Sequence, residues 1–234
     1  MAGQQPVHDR AAAPHGAHDD GEGVGTAEVK PRRGLDRASW AARLAAEGVP
    51  ADLADRLASY LELLGRWGGA VDLFGGADPG GLLTSLVRDA LAALPHLGET
   101  DTLIDIGSGN GFPAIPLLVA RPGVRGILLE PRERRWAFLK EAARELGLAA
   151  DVRRERVAEH AGGGYDVATV RGVGYEAWLP DASRLVKASG RWLWWTSAAN
   201  AAALAGRVAE GRVLPFPLSD PAHGVLAVWR RCST

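Results

Sequence analysis

The residues with the clearest chemical meaning lie in one short part of the chain. An apolar run that contains Asp105 leads into a turn that carries Gly107, Gly109 and Gly111. Glycines let the backbone bend tightly and let a ligand approach main-chain N–H groups. The next apolar run ends at Glu130, whose carboxylate can accept hydrogen bonds from the two hydroxyls of a ribose. This pattern predicts a nucleotide-cofactor site.

The spacing of the glycines indicates which cofactor is expected. Nicotinamide and flavin proteins usually have G-x-G-x-x-G, whereas the spacing here is G-x-G-x-G with an acid shortly before the turn. That difference favours S-adenosylmethionine over NAD. A glycine-rich turn alone is a weak signal, but the succession of strand, turn, helix, strand and acid supports the cofactor interpretation. A nicotinamide-dependent oxidoreductase is a distant alternative.

The elements that must position these residues follow from the apolar periodicity. After residue 98, short apolar runs alternate with helical patterns, which is typical of a parallel α/β sheet. We predict helices at 112–120, 132–146, 176–186 and 198–210, and strands at 102–106, 125–130, 151–155, 165–170, 191–196, 212–217 and 224–230. The last two strands are expected to form an antiparallel edge pair. The fold class is therefore α/β, a doubly wound, mainly parallel, seven-stranded Rossmann-like sheet with an N-terminal helical extension.

The chain is expected to divide into three parts. Residues 1–34 lack apolar periodicity and are predicted to be a disordered tail. Residues 35–98 have apolar residues at three- and four-residue steps, which predicts a helical extension of two or three helices with a glycine-rich loop at 65–81. Residues 99–234 are predicted to form the cofactor-binding domain.

Composition limits the classes of protein to be considered. The 234 residues carry a net charge of −1, so the molecule has no overall positive field that would indicate nucleic acid. One cysteine excludes an internal disulfide and a cysteine metal cluster, and no metal site is expected. Because there is no apolar run of 18 residues, we expect no membrane segment and a cytoplasmic location. No pattern indicates a dimer helix, so a monomer is expected.

Several motifs together carry a family resemblance. They are Asp105-Ile-Gly-Ser-Gly-Asn-Gly-Phe-Pro-Ala-Ile-Pro116, Arg134-Arg-Trp-Ala-Phe-Leu139 and Val170-Arg-Gly172. Over roughly residues 57–200 the chain resembles the bacterial small-subunit ribosomal RNA methyltransferase G family, also called glucose-inhibited division protein B. The resemblance implies that residues 99–234 form an S-adenosylmethionine-binding methyltransferase domain. It also implies methylation of a guanine in 16S rRNA at ring position 7, with 16S rRNA or the small ribosomal subunit as the partner.

The resemblance assigns site residues position by position. It implies that the methionine end of the cofactor is lined by Asp105, Gly107, Ser108, Gly109 and Gly111. It implies that Glu130 binds the ribose, that Val157 and Ala158 meet the adenine, and that Arg171 lies at the mouth of the pocket. A surface salt bridge is the alternative for Arg171. Phe112 is counted with the cofactor-binding residues.

The expected reaction requires the protein to hold the target base, but it requires no catalytic residue. Nitrogen 7 of guanine has an in-plane lone pair and no proton, so no general base and no catalytic residue are expected. Aromatic or arginine side chains commonly support an unstacked base. The candidates are Phe74, Phe112, Arg171 and Trp178, whereas Trp192, Trp194 and Trp195 are expected to belong to the core.

Three positions depart from the family pattern. Asp72 stands in place of an asparagine, Leu86 in place of a histidine and Thr196 in place of a lysine. We expect these positions at the mouth of the site, where the changes remove positive charge from a surface that would meet phosphates. Two alternatives therefore stay open: a divergent family member with another substrate, or a cofactor-binding, ribosome-associated module without transfer activity.

Overall fold

The computed structural model describes residues 35–67, 79–208, 212–218 and 224–230. Three helices come first: α1 (Arg37–Ala46), α2 (Ala51–Trp67) and α3 (Pro79–Leu91). The predicted number of helices is confirmed, but the loop predicted at 65–81 is wrong at both ends. Pro79 is compatible with a first helical position, because the N–H that proline lacks has no partner inside a helix at that point. The predicted tail at 1–34 lies outside the described residues.

The α/β part contains the predicted sheet. Its helices are α4 (Ala114–Ala120), α5 (Glu133–Glu145), α6 (Ala182–Leu185) and α7 (Ala198–Ala205). Its strands are β1 (Thr102–Ile106), β2 (Arg125–Leu129), β3 (Ala150–Arg153), β4 (Tyr165–Arg171), β5 (Val186–Thr196), β6 (Arg212–Pro217) and β7 (Val225–Arg230). In the described residues they form one seven-stranded sheet with the order β3-β2-β1-β4-β5-β7-β6. β1 to β5 are parallel and β7 is antiparallel to both neighbours, so the predicted fold class is confirmed.

The register of the central strands brings the predicted site together. Ile106, the last residue of β1, is aligned with Leu129 of β2 and Val170 of β4. The chain leaves all three parallel strands at the same edge of the sheet, where α/β proteins commonly bind ligands. Gly107, Glu130 and Arg171 lie at or just beyond these strand ends.

Alternate residues of the strands pack into two cores, one on each face of the sheet. The first core contains Leu103 of β1 and Val167 of β4 together with buried residues of α1 to α5. The second contains Ile104 of β1 and Val170 of β4 together with residues of α6 and α7 and several tryptophans. The helical extension therefore shares its core with the sheet. No helix in the described ranges is long and apolar enough to cross a membrane.

The positions of the tryptophans show that one residue expected to support an RNA base is part of the core. Trp192, Trp194 and Trp195 are buried, as predicted. Trp178 is also fully buried and stacks on Trp192 with ring centroids 4.4 Å apart, so it cannot support an RNA base.

The helix predicted at 176–186 is also wrong. Two 3₁₀ turns and the short α6 occupy this stretch, because Pro180 lacks the N–H that a helix interior requires.

Candidate cofactor site

The turn between β1 and α4 has a backbone that favours glycine at three positions. The φ angles of Gly107, Gly109 and Gly111 are 69°, 57° and 94°. A Cβ on Gly107 would lie 2.9 Å from Cγ2 of Val173, and one on Gly111 would lie 2.6 Å from Cγ1 of Ile115. Such separations are too short for carbon atoms, so side chains would displace their neighbours as well as strain the backbone.

Glu130 lies against this turn and is only 3% exposed. Its Oε2 accepts a hydrogen bond from the backbone N–H of Gly109 at 2.9 Å, and its Oε1 accepts one from the N–H of Arg132 at 2.8 Å. These bonds fix the orientation of the carboxylate. Each oxygen of a carboxylate can accept two hydrogen bonds, so both retain capacity for ligand hydroxyls.

Asp105, at 1% exposure, brings a second buried carboxylate to the turn. Its Oδ1 accepts a hydrogen bond from the hydroxyl of Thr169 at 2.6 Å. Its Oδ2 is buried and has no hydrogen-bond partner within the described part of the chain. Burial raises the pKa of Asp105 to about 6, against the effect of the hydrogen bond from Thr169. A buried acceptor without a partner fits a ligand that carries an N–H donor, such as the ammonium group of S-adenosylmethionine.

The helical extension contributes Tyr60, which the sequence analysis did not assign to the site. The Tyr60 hydroxyl, on α2, donates a hydrogen bond of 2.5 Å to the carbonyl oxygen of Asn110 in the glycine turn. The Tyr60 ring also packs edge-on against Phe112, with ring centroids 5.3 Å apart. The turn is thus held from β2 through Glu130 and from α2 through Tyr60.

Arg171 pairs with a buried carboxylate rather than with a surface one. Its Nη2 lies 3.5 Å from Oδ2 of Asp89 on α3, and Asp89 is fully buried. Its Nη1 is buried and has no hydrogen-bond partner in the described ranges. Burial lowers the pKa of Arg171, but a guanidinium stays charged in proteins. Arg171 therefore keeps free donor capacity at the edge of the sheet, while Asp89 offsets its charge.

A cavity of about 440 Å³ opens beside the glycine turn. Of the residues predicted from the sequence, it is lined by Gly107, Ser108, Gly109, Phe112, Glu130 and Arg171. It is also lined by Leu86, Asn110, Pro131, Arg132, Arg135, Gly172 and Val173, of which only Leu86 was expected near the site. Asp105 and Gly111 are buried in the surrounding structure and are not among the lining residues.

Five further predicted positions do not line this cavity or lie outside the described residues. Val157 is buried and Ala158 exposed in a 3₁₀ turn after β3, and neither lines the cavity. Thr196 ends β5, where its hydroxyl accepts a hydrogen bond from Asn200 at 3.2 Å, and it does not line the cavity either. Asp72 lies outside the described residues, as does Phe74. In the described ranges, no group of three or more His, Cys, Asp or Glu side chains could hold a metal ion.

The Rossmann-like sheet, the glycine turn after β1 and the buried acid after β2 define the class of S-adenosylmethionine-dependent methyltransferases. A solved structure of an S-adenosylmethionine-dependent methyltransferase from Aquifex aeolicus has the same fold, with a TM-score of 0.51 and 17% identity over 64% of this chain and 93% of that one. The model of the family "rRNA small subunit methyltransferase G" matches residues 54–210. The chain belongs to this family.

Relatives support this assignment at higher identity. The "Ribosomal RNA small subunit methyltransferase G" of Alkalilimnicola ehrlichii is 36% identical over 174 residues, which cover 73% of this chain and 74% of the relative. The protein of that name from Stenotrophomonas maltophilia (strain K279a) is 39% identical over 132 residues, 55% of this chain and 61% of the relative. The family resemblance inferred from the motifs is confirmed, and with it the prediction of an S-adenosylmethionine-dependent methyltransferase.

Proposed function

We propose that this chain transfers the methyl group of S-adenosylmethionine to nitrogen 7 of a guanine in 16S rRNA of the small ribosomal subunit. The observation that carries the proposal is the buried Glu130 carboxylate, which is held against the glycine turn at the wall of an open cavity. Membership of the rRNA methyltransferase family supports an rRNA substrate.

This cofactor fits the residues that line the cavity together with Asp105 and Gly111, which are buried and do not line it. Gly107, Ser108, Gly109 and Gly111, together with Asp105, would hold the methionine end. Glu130 would accept hydrogen bonds from the ribose hydroxyls, and Phe112 would complete the wall. Val157 and Ala158 are proposed to meet the adenine, and Arg171 to close the pocket on the side of the RNA. The unpartnered Oδ2 of Asp105 supports this orientation, because a cationic ammonium group would satisfy it.

The reaction requires the protein to align the cofactor with the target guanine, but it requires no proton transfer by the protein. When bound, S-adenosylmethionine supplies an electrophilic methyl group. Guanine nitrogen 7 has a free lone pair and no proton, so none of the side chains has to act as a general base. The glycine turn and the carboxylates of Glu130 and Asp105 would fix the position of the cofactor. Arg171 would stabilise the target nucleotide beside it, so that the two reactants meet in a defined orientation.

The chain is further proposed to act as a monomer in the cytoplasm, on the small ribosomal subunit.

The test is transfer of labelled methyl from S-adenosylmethionine to unmodified small subunits and to their naked RNA. The variant Glu130→Gln keeps the size of the side chain and removes its charge. We expect wild-type protein to form labelled 7-methylguanosine, and Glu130→Gln to bind S-adenosylhomocysteine roughly 10- to 100-fold more weakly, because a charged acceptor is lost. The control is Glu99→Gln, whose side chain is 80% exposed and which precedes β1, whereas the glycine turn follows the other end of that strand.

Three results would contradict the proposal in different ways. No binding of S-adenosylhomocysteine at millimolar concentration would exclude the cofactor site. Binding without transfer to any RNA would indicate a cofactor-binding module without transfer activity, the alternative suggested by departures from the family pattern such as Leu86. Label in another nucleotide or in a small molecule would indicate a divergent substrate.

A further inference from the structure

The wall of the cavity carries more positive charge than its cofactor requires. Arg132, Arg135 and Arg171 line the cavity, against a single lining carboxylate, Glu130. Arg171 is compensated by the buried Asp89, and Glu130 accepts its hydrogen bonds from backbone N–H groups. Within the described part of the chain, neither Arg132 nor Arg135 forms an ion pair.

This excess charge does not suit S-adenosylmethionine itself. The cofactor carries a sulfonium and an ammonium group against one carboxylate, so it is a cation at neutral pH. Uncompensated arginines beside a cationic ligand are unfavourable unless an anion also binds nearby. A second, negatively charged ligand is therefore expected at the same opening.

Three arginines that form no ion pair in the described ranges lie close together at the start of α5. We call Arg132, Arg134 and Arg135 the arginine rim. Arg132 and Arg134 are exposed, and Arg135 is half-buried. Nη1 of Arg135 lies 3.8 Å from the position that a Cβ on Gly109 would take, so its guanidinium lies beside the glycine turn. The acidic residue within this segment, Glu133, does not compensate the rim, because it pairs with Arg154 at 3.3 Å.

We propose that the arginine rim binds backbone phosphates of the RNA whose base enters the cavity. Arginine presents a planar fork of donors that matches phosphate oxygens, and such contacts position a nucleic acid without reading its sequence. Leu86, which has no charge, lines the same cavity as Arg132 and Arg135. The molecule, with a net charge of −1, thus has a local basic surface where the substrate must approach. This inference rests on the proposed rRNA substrate.

The test measures RNA binding apart from catalysis. Full-length protein saturated with S-adenosylhomocysteine is titrated with fluorescent 16S rRNA transcribed in vitro, over a series of salt concentrations. The variants are Arg132→Gln with Arg134→Gln, and Arg135→Gln alone. The matched control is Arg43→Gln with Arg56→Gln, two exposed arginines of α1 and α2 that form no ion pair in the described ranges. Transfer of labelled methyl to unmodified small subunits is measured in parallel.

We expect the double rim variant to bind RNA at least tenfold more weakly, since two charge-assisted contacts are lost. The slope of log affinity against log salt should fall by about one for each phosphate contact removed. Because Arg132 and Arg135 line the cofactor cavity, affinity for S-adenosylhomocysteine is measured for each variant, and RNA affinities are compared only at saturating S-adenosylhomocysteine. The control variant should match wild type in every assay.

The outcomes separate the two proposals. RNA affinity and salt slope equal to wild type in all rim variants would overturn the arginine rim, whether or not methyl is transferred. Loss of affinity in the control variant equal to that in the rim variants would overturn it as well. Rim-dependent RNA binding without methyl transfer by wild type would overturn only the proposed reaction.

Discussion

At the scale of single residues, the hydrogen bond from Tyr60 to the carbonyl oxygen of Asn110 connects the helical extension to the glycine turn of the candidate cofactor site. The bond is 2.5 Å long and lies at a turn that must hold a fixed shape. Burial, together with the nearby charge of Asp105, raises the pKa of Tyr60 well above 10. The hydroxyl therefore keeps its proton and acts as a donor at every physiological pH.

Removing only this hydroxyl should destabilise the fold and weaken cofactor binding. We expect Tyr60→Phe to lower the free energy of unfolding by ~1 kcal/mol and to raise the Kd for S-adenosylhomocysteine by up to about fivefold, because the glycine turn is then less firmly held in its binding shape. Calorimetric titration measures the effect, and the KM for small subunits should not change. The control is Tyr175→Phe, a buried tyrosine that packs on Trp194 in the other core. Equal effects of both variants on affinity would show that Tyr60 does not position the turn.

Asp105 should make the stability of the protein without ligand depend on pH. Burial raises its folded-state pKa from 3.8 to about 6, so between these values the folded state holds more protons than the unfolded state. Stability then falls as pH rises from about 4 to about 6, by roughly 3 kcal/mol for about two pKa units. Asp105→Asn should abolish this fall and stabilise the free protein at pH 7.5, while weakening S-adenosylhomocysteine binding. Urea unfolding at several pH values measures both.

The control for Asp105→Asn is Asp166→Asn, for which the expected change in stability at neutral pH has the opposite sign. Partial burial opposes ionisation of Asp166, but hydrogen bonds from Lys187 and Thr102 outweigh it and lower the pKa of Asp166 to about 2. Asp166→Asn should therefore destabilise the protein at neutral pH. If Asp105→Asn also destabilised the free protein at pH 7.5, the ionised carboxylate of Asp105 would not be destabilising the folded state.

At the scale of elements, the sequence predicted what local pattern determines. The strands began and ended within about two residues of prediction because each is a short apolar run between polar or glycine-rich segments, except that β5 begins at Val186 rather than at 191. The helix predicted at 176–186 is wrong. In the structure, Pro180 and the burial of Trp178 against Trp192 determine the conformation instead.

The same reasoning explains which site residues were predictable. The glycine turn and Glu130 were found because a chemical type coincides with the end of an apolar run. Tyr60 contacts the turn because α2 packs against it, and Val173 contacts it from the segment that follows β4. No local sequence pattern indicates such contacts. Arg132 and Arg135 carry a weak signal, since they follow the acid by two and five residues at the start of a helix.

At the scale of the whole molecule, the helical extension and the sheet should unfold together, because they share one core. Leu61 of α2 is fully buried in the core that also contains Leu103 of β1 and Phe138 of α5. Leu61→Ala should lower the free energy of unfolding by about 2–5 kcal/mol, as expected for a buried leucine. Circular dichroism and tryptophan fluorescence should report the same single transition in urea. Leu214→Ala, at a leucine that is 38% exposed, should change stability by less than about 0.5 kcal/mol. Two transitions, of which Leu61→Ala moved only the first, would mean that the extension is a separate folding unit and that Tyr60 holds the glycine turn from outside the domain.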